Sequence, residues 1–600
     1  MSAANMPTGN QMVSLPRIQE ETAGIQDFTF LHMGYKGLID VRGSEDEPLI
    51  SPFLQMENKQ VPLGPLSWKR LGHWIPSFSG QAEGLKLRGV ILAPLDERGF
   101  LVKLEISNCS QKALSVTYGF CGQWESSWHC VNEDKMLEGK KHCYRSEWNQ
   151  GVAFDLRCGA PMFAFAPMAD QKCGASYSTQ GDEVRYRLAR DESLAPGQSC
   201  SLTVAWGLGF EEVAAVTSAK EMLRRGYDYE LNRTLAWLKE RMQKFKDPKL
   251  TELYNTNLFF CIFFSTGITL DTEELVLVTS RSPRYYVSAA YWDRDSLLWS
   301  FPAVLDADPG LAYEMLQYIF GRQKKNFGIH SRYLDGTMLE PGFELDELMA
   351  PVLALDRYVN VTADRNILEE PNVKDGVERI LNQLKKHRHE SVALYDTFLQ
   401  PTDDEHVYPY LTYDNVLAWK ALHALIRLYP QRGGLKETAD AIQLAIAEHC
   451  VKEKNGKRFY AWSVDLNGNY DIYDEPPGSL QLLPSIGFCK AEDEVYRNTV
   501  DMIRSPEYQY SFSSSRFAEI GCPHAPHPWI LSVANSLLCG RTAHCAKFLH
   551  DVKMDDLIAC ESVDENTGKC TTGAAFATCA GFLCHAMKES KERLDQGYEG

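Results

Sequence analysis

Two acidic segments far apart in the chain carry residue types suited to acid–base chemistry. In DTFLQPTDDEHVYPYLTYDNVLAWKAL, Asp403, Asp404 and Glu405 stand between Pro401 and an aromatic run that opens a helix. In LIACESVDENTGKC, Glu561 follows an apolar stretch, and Asp564, Glu565, Asn566 and Gly568 form the turn after it. Cleaving a glycosidic bond with inversion needs an acid to protonate the leaving oxygen and a second carboxylate to activate water on the opposite face. Close acids raise one another's pKa, and neighbours such as Tyr408 and Tyr410 favour a protonated form. Judged alone, the first segment reads more readily as a solvated acidic turn and Glu561 as an ordinary exposed glutamate.

A third segment, SAAYWDRDSLLWSFPAVL, combines Trp292, Arg294 and Asp295. Asp295 suits sugar hydroxyls and Arg294 suits orienting an acid, although a helix N-terminal carboxylate beside a structural arginine has the same pattern. Long connections at 281–296, 326–346, 389–415 and 505–530 are rich in aromatic, acidic and amide side chains, as site-building loops are. Trp292, Tyr408, Tyr410 and Trp529 supply flat rings with polar handles, which cover the apolar face of a sugar.

The elements that must position these residues fall into two regions. From about Gly24 to Phe210 the pattern is short, alternating and turn-punctuated, which predicts an antiparallel β-sandwich. Within it, GFLVKLEISNCSQKALSVTYGF reads as a β-hairpin around Asn108–Lys112. After Glu211 apolar residues recur three and four apart, giving about a dozen helices and no fixed-period repeat. The expected architecture is a multidomain chain: a tail at 1–23, a β-sandwich at 24–210, a helical linker at 211–247 and an (α/α)6 toroid at 248–600.

Composition bounds the partners. The 600 residues are 44% apolar with no run long enough to span a bilayer, and the start lacks a secretory pattern, so a soluble cytoplasmic protein is expected. Seventeen scattered cysteines suggest reduced thiols, and no spacing marks a zinc site. A net charge of -18 with no basic block argues against nucleic acid or an anionic membrane and permits a neutral oligosaccharide. No metal and no cofactor are expected.

Five motifs in order resemble the family 125 glycoside hydrolases, whose members are exo-acting α-1,6-mannosidases. YWDRDS resembles the family's WLRDS, and FELDELMAPVLALDRYV its ELDSL-containing helix. PTDDEHVYPYLTYDN is similar to its PSDD segment, GCPHAPHPWILSVANSLL to its GxPHxG stretch and CESVDENTGKC to its HES segment. The resemblance implies an inverting, metal-independent hydrolase with Asp403 or Asp404 as general acid, Asp404 preferred, and Glu561 as general base. It implies sugar binding by Trp292, Arg294, Asp295, Glu344 and Asp346, and makes His524 and His527 sugar contacts or structural residues. It covers residues 250 to 588 and leaves the β-rich region aside. Cys560 stands where the family has His, Asp293 where it has an aliphatic residue, and Ala525-Pro526-His527 where it has a Gly-containing turn. The expected activity is therefore an exo-α-mannosidase. The alternatives are an α-glucosidase or disaccharide phosphorylase of similar architecture, and an inactive carbohydrate-binding protein on a hydrolase scaffold.

Overall fold

The computed structural model describes residues 3, 4 and 6–597. The chain folds as two compact units. The first comprises Met1–Met242, Thr266–Val276 and Arg281–Ala289, and the second Gln243–Ser265, Leu277–Ser280 and Ala290–Gly600. No described helix is long and apolar enough to cross a membrane, and all seventeen cysteines are free.

The first unit is built on antiparallel sheets of eight, five and six strands, whose apolar faces share one core that includes Phe28, Phe30, Phe120, Trp124, Phe154, Phe165 and Trp206. Burying each such side chain contributes about 1.5–3 kcal/mol before entropy is counted. Two expectations change here. The segment read as a tail is part of the sheets. Asn10 Oδ1 accepts from Met12 N at 2.8 Å and Val13 N at 2.9 Å, turning the chain so that Thr8–Gly9 pairs with Ser14–Leu15. Val13, Leu15 and Ile18 are thereby buried in the core.

The hairpin read at Asn108–Lys112 does not form. Strand Gly99–Asn108 pairs with Leu85–Leu92 and Ser199–Gly209, whereas Leu114–Trp124 pairs with Ser51–Met56 and Glu183–Leu194 in another sheet. Asn108 Nδ2 donates to Lys112 O at 2.7 Å and to Leu194 O at 2.9 Å, so the connection crosses between sheets. Alternation identified both strands, and long-range pairing chose their partners. The helix Glu212–Arg225, expected in a linker, lies against strands Ala160–Ala169 and Ser199–Gly209. A Cβ on Gly207 would stand 2.0 Å from Ala215 O, so glycine permits that approach.

The second unit is helical. Arg294–Ser300, a π-helical turn, runs into Phe301–Ala307 and packs on Leu345–Thr362, which packs on Thr412–Leu428. Thr412–Leu428 meets Leu483–Ile486, which continues the turn Leu480–Leu482. That turn meets Ile530–Leu538, then comes Ala577–Glu589, which packs back on Arg294–Ser300. Further helices, among them Pro248–Ser265, Pro309–Gly321, Pro371–Lys386, Leu435–Ala445 and Thr542–Asp551, lie against this circuit. Pro248–Ser265 is buried along nearly its whole length, which explains why its pattern is apolar on all sides. The N-terminal ends of two circuit helices carry Asp295, Glu344 and Asp346, where the helix dipole favours negative charge.

Candidate active site

The acidic turn is held from below. Thr402 N and Thr402 Oγ1 each donate to buried Glu475 at 2.8 Å, and Tyr473 Oη donates to the same carboxyl at 3.0 Å. Burial, outweighing these bonds, pushes Glu475 up to about 8. Asp403 N donates to Gln400 O at 2.8 Å, and Gln400 N to Asp404 O at 3.0 Å. Asp403 sits at φ 66°, a left-handed conformation that aspartate tolerates. At that reversal the two neighbouring side chains diverge.

Asp403 turns to a cluster of charge. Arg294 donates from Nη2 to Asp403 Oδ1 at 2.6 Å and to Glu344 Oε2 at 3.1 Å, and lies 3.5 Å from Asp346 and 3.4 Å from Glu347. His330 Nδ1 bonds Glu344 Oε1 at 2.7 Å and lies 3.5 Å from Asp403 Oδ1. Burial opposes charge on His330, but Glu344 and Asp403 prevail and raise it to about 9. Burial raises Glu344 to about 7 despite Arg294. Asp414, fully buried, is pushed well above the carboxylate range by burial and then by Asp346. Asp295 accepts from Thr578 Oγ1 at 2.9 Å and is raised by burial to about 7. Trp292 is buried edge-on to His330, and its Nε1 has no hydrogen-bond partner among the described residues.

Asp404 faces the other way. His524 Nδ1 bonds Asp404 Oδ2 at 3.1 Å, and His524 Nε2 lies 3.6 Å from Glu561 Oε1. The bond to Asp404, then the charge of Glu561, raise His524 to about 9 against the opposing effect of burial. Glu561 is 2% exposed, and its backbone is fixed by bonds from its own N to Gly573 O at 3.1 Å and from Ile530 N to its carbonyl at 3.0 Å. The Trp529 ring lies 6.1 Å from that of His524.

The structure thus gathers Arg294, Glu344, Asp346 and Asp403 into one group, with Trp292 against its His330 and Asp295 in the field of Arg294 and Asp403. Asp404, His524 and Glu561 form a second. His527 instead bonds Glu565 at 3.0 Å, and Tyr410 pairs with Val464 and meets His389. Sequence reasoning passed over His330, Glu347, Asp414, Glu475, Gly573 and Thr578. A third acid in ELDE and an acid beside Asn415 were the available signals; nothing local marked the others. The departure at Asp293 is explained by Arg332, which pairs with it while Tyr291 donates to its other oxygen. Cys560, where the family has His, turns its Sγ to Ser562 O.

His330, Glu344 and Asp403 offer ligand atoms within 4.8 Å of one another. The Arg294 guanidinium already lies on Glu344 and Asp403, so the group is built as an ion-pair cluster rather than a cation cage.

Gly573 has φ 58°, and a Cβ there would stand 2.5 Å from both Glu561 Cβ and Oε2. Gly573→Ala is therefore expected to displace Glu561 and lower kcat by about 100-fold, the scale of a 1 Å misplacement. Steady-state kinetics beside a melting curve would separate this from unfolding.

Both histidines have pKa values raised above the unfolded value, so each binds more proton when folded. Their stabilisation is complete below about pH 6.5 and is lost as pH rises through about 9. His524→Gln is expected to flatten the stability-versus-pH curve in that window, measured by urea unfolding.

Two clusters of carboxylates, one on Arg294 and one on His524, with the rings of Trp292 and Trp529 beside them, are groups of the kind a glycoside hydrolase uses. Residues 387–587 match the model of glycoside hydrolase family 125, metal-independent alpha-mannosidases, and the matched stretch holds Asp403, Asp404, His524 and Glu561. A Streptococcus pneumoniae structure from a family of metal-independent alpha mannosidases, in complex with alpha-1,6-mannobiose, is 19% identical with a TM-score of 0.51. That match covers 60% of this chain and 97% of that one. A bacterial glucoamylase complexed with acarbose is 13% identical with a TM-score of 0.68, covering 99% and 95%. A putative kojibiose phosphorylase from the human microbiome is 10% identical with a TM-score of 0.61, covering 97% and 86%. At these identities the likeness is one of fold. The latter two matches include the β-rich part of this chain, which the 60% match cannot wholly cover. No curated protein sequence matches significantly.

Proposed function

We propose that this chain is an exo-acting, inverting α-glycoside hydrolase, a β-sandwich followed by an (α/α)6 toroid, that releases a terminal α-mannose. Asp404 is the general acid and Glu561 the general base. The single observation that carries this reading is the His524 ring, which reaches Asp404 from one nitrogen at 3.1 Å and Glu561 from the other at 3.6 Å. The two ring nitrogens point apart, so these contacts allow the carboxyl oxygens a separation of up to about 9 Å, within which the about 6.5–9.5 Å spacing that suits inversion fits.

In this mechanism Glu561 takes a proton from the water that attacks the anomeric carbon as the glycosidic bond breaks, and Asp404 gives one to the departing oxygen. His524 keeps its own proton below about pH 9 and holds the Asp404 carboxyl in place by its Nδ1 contact. Asp403 is already engaged by Arg294 and His330, which makes it the positioning partner of that cluster. Trp292 Nε1, Asp295 and Asp346 supply the donor and acceptors for sugar hydroxyls.

A panel of p-nitrophenyl α-glycosides, with the anomer of the first product read by NMR, tests the proposal. The α-mannoside is expected to turn over with a β-configured product; an α-configured product would refute inversion. An α-glucoside is the second reading, favoured by the glucoamylase fold match over 99% of this chain. A phosphate requirement for turnover would favour the phosphorylase alternative, in which phosphate replaces the base.

A further inference from the structure

The second unit has a recess with a volume of about 630 Å³ whose lining includes none of Asp404, His524 and Glu561. Its walls include Trp299, Leu417 and Phe582, and its charged lining includes Arg357, Lys420 and Arg593. Arg357 lies eleven residues along the helix Leu345–Thr362 from Asp346, about 16 Å at the helical rise, so the cationic end of this recess is at the other end of the circuit helices, while its Trp299 wall reaches back to within 6.0 Å of the Arg294 guanidinium. Its volume falls in the about 300–1,000 Å³ range of small-molecule sites.

Its cations are arranged for an absent counter-charge. Lys420 makes no hydrogen bond or ion pair among the described residues, and the one bond of the Arg357 guanidinium, from Nη1, goes to His585 Nε2 at 3.2 Å. His585 accepts it as a neutral ring, burial keeping it below its ordinary value, with Nδ1 turned to Asp306 Oδ2 at 3.4 Å. Lys588 Nζ in turn holds Asp306 Oδ1 at 3.2 Å. The chain Lys588–Asp306–His585 thus fixes Arg357, whose charge is disfavoured by burial and favoured at a distance by Asp306, Glu589 and Asp356, none of which forms an ion pair with it among the described residues. Asp306, His585 and Glu589 also offer atoms to a metal, but Lys588 and Arg357 stand on two of the three. Of the lining acids, Asp356 is taken by Arg427 at 2.6 Å, leaving Glu589 against three cations. Burial and then Arg427 and Arg357 disfavour charge on Lys420, against the opposing effect of Asp356. Neither is in the last turn of its helix, where the dipole alone would account for a cation.

We infer that this recess is a second ligand site, for a small organic anion whose phosphate or carboxylate lies on Arg357 and Lys420 and whose apolar body lies against Trp299, Leu417 and Phe582. Calorimetric titration of the full chain with phenyl phosphate tests it. Saturable binding at millimolar or lower Kd is expected, weakened at least tenfold by the double change Arg357→Gln with Lys420→Gln and unaltered by Glu561→Gln. Inorganic phosphate is expected to bind more weakly than phenyl phosphate, and equal affinities would overturn the apolar half of the inference. Absence of saturable binding, or binding that survives the double change and is lost with Glu561→Gln, would overturn it entirely. Circular dichroism checks the fold of the double variant. If it does not fold, Lys420→Gln, which removes no intramolecular bond, carries the same comparison, with weaker binding expected and unchanged binding overturning the inference.

Discussion

Glu561→Gln is expected to lower kcat by about 10²–10⁴-fold on every glycoside the enzyme turns over, with little change in melting temperature. The replacement keeps the shape of a side chain whose backbone is bonded to Gly573 and Ile530, so the local structure should persist while the proton acceptor is lost. Asp404→Asn should behave differently. An acid matters most when the departing oxygen is basic, so its loss should be severe on a disaccharide and mild on a p-nitrophenyl glycoside, whose phenolate leaves without help. Asp403→Asn should show no such dependence on the leaving group, because Asp403 acts through Arg294. Kinetics of the three variants on both substrate types make the assignment. If Glu561→Gln and Asp404→Asn left hydrolysis of every active glycoside unchanged, the mechanism would be wrong.

The largest effect on stability is expected at Arg294→Met. Arg294 is 1% exposed and faces Glu344, Asp346, Glu347 and Asp403. Removing one member of a buried ion cluster leaves uncompensated charge, at a cost of about 3–5 kcal/mol. The sign of its pH dependence follows from the acids left behind. Glu344, Asp346 and Glu347 have raised folded pKa values even with Arg294 present, and without it they rise further. They then bind more proton folded than unfolded, so stability falls as pH rises and the variant should recover towards the parent as pH is lowered from 8 to 5. Urea unfolding at several pH values would measure this. A constant deficit across that range would mean that lost packing, rather than unpaired charge, dominates.

Residue types and order in the sequence were enough to indicate two acids on separate loops, a β-rich region before a helical one, and most of the helices. Those features are local: alternation, a period of 3.6 and short motifs report on neighbouring residues. The same signals assigned the strands at Gly99–Asn108 and Leu114–Trp124 but paired them wrongly, because, apart from Leu85–Leu92, their partners lie about 60 to 110 positions away. The tail reading failed for a related reason, since Val13, Leu15 and Ile18 are a weak pattern until the sheets supply the core that buries them.

The site divides along the same line. Sequence indicated Asp403, Asp404 and Glu561 as candidates and left the two aspartates equivalent. Only the fold separates them: a left-handed residue at Asp403, with the turn anchored on Glu475, sends one carboxylate to Arg294 and the other to His524. His330 and Gly573 carry no local signature, because their roles come from what stands beside them in space. Sequence by itself determined which chemical groups this protein has available. Tertiary structure decided which of them meet, and therefore which can be charged, because burial and distance set the energy of each proton.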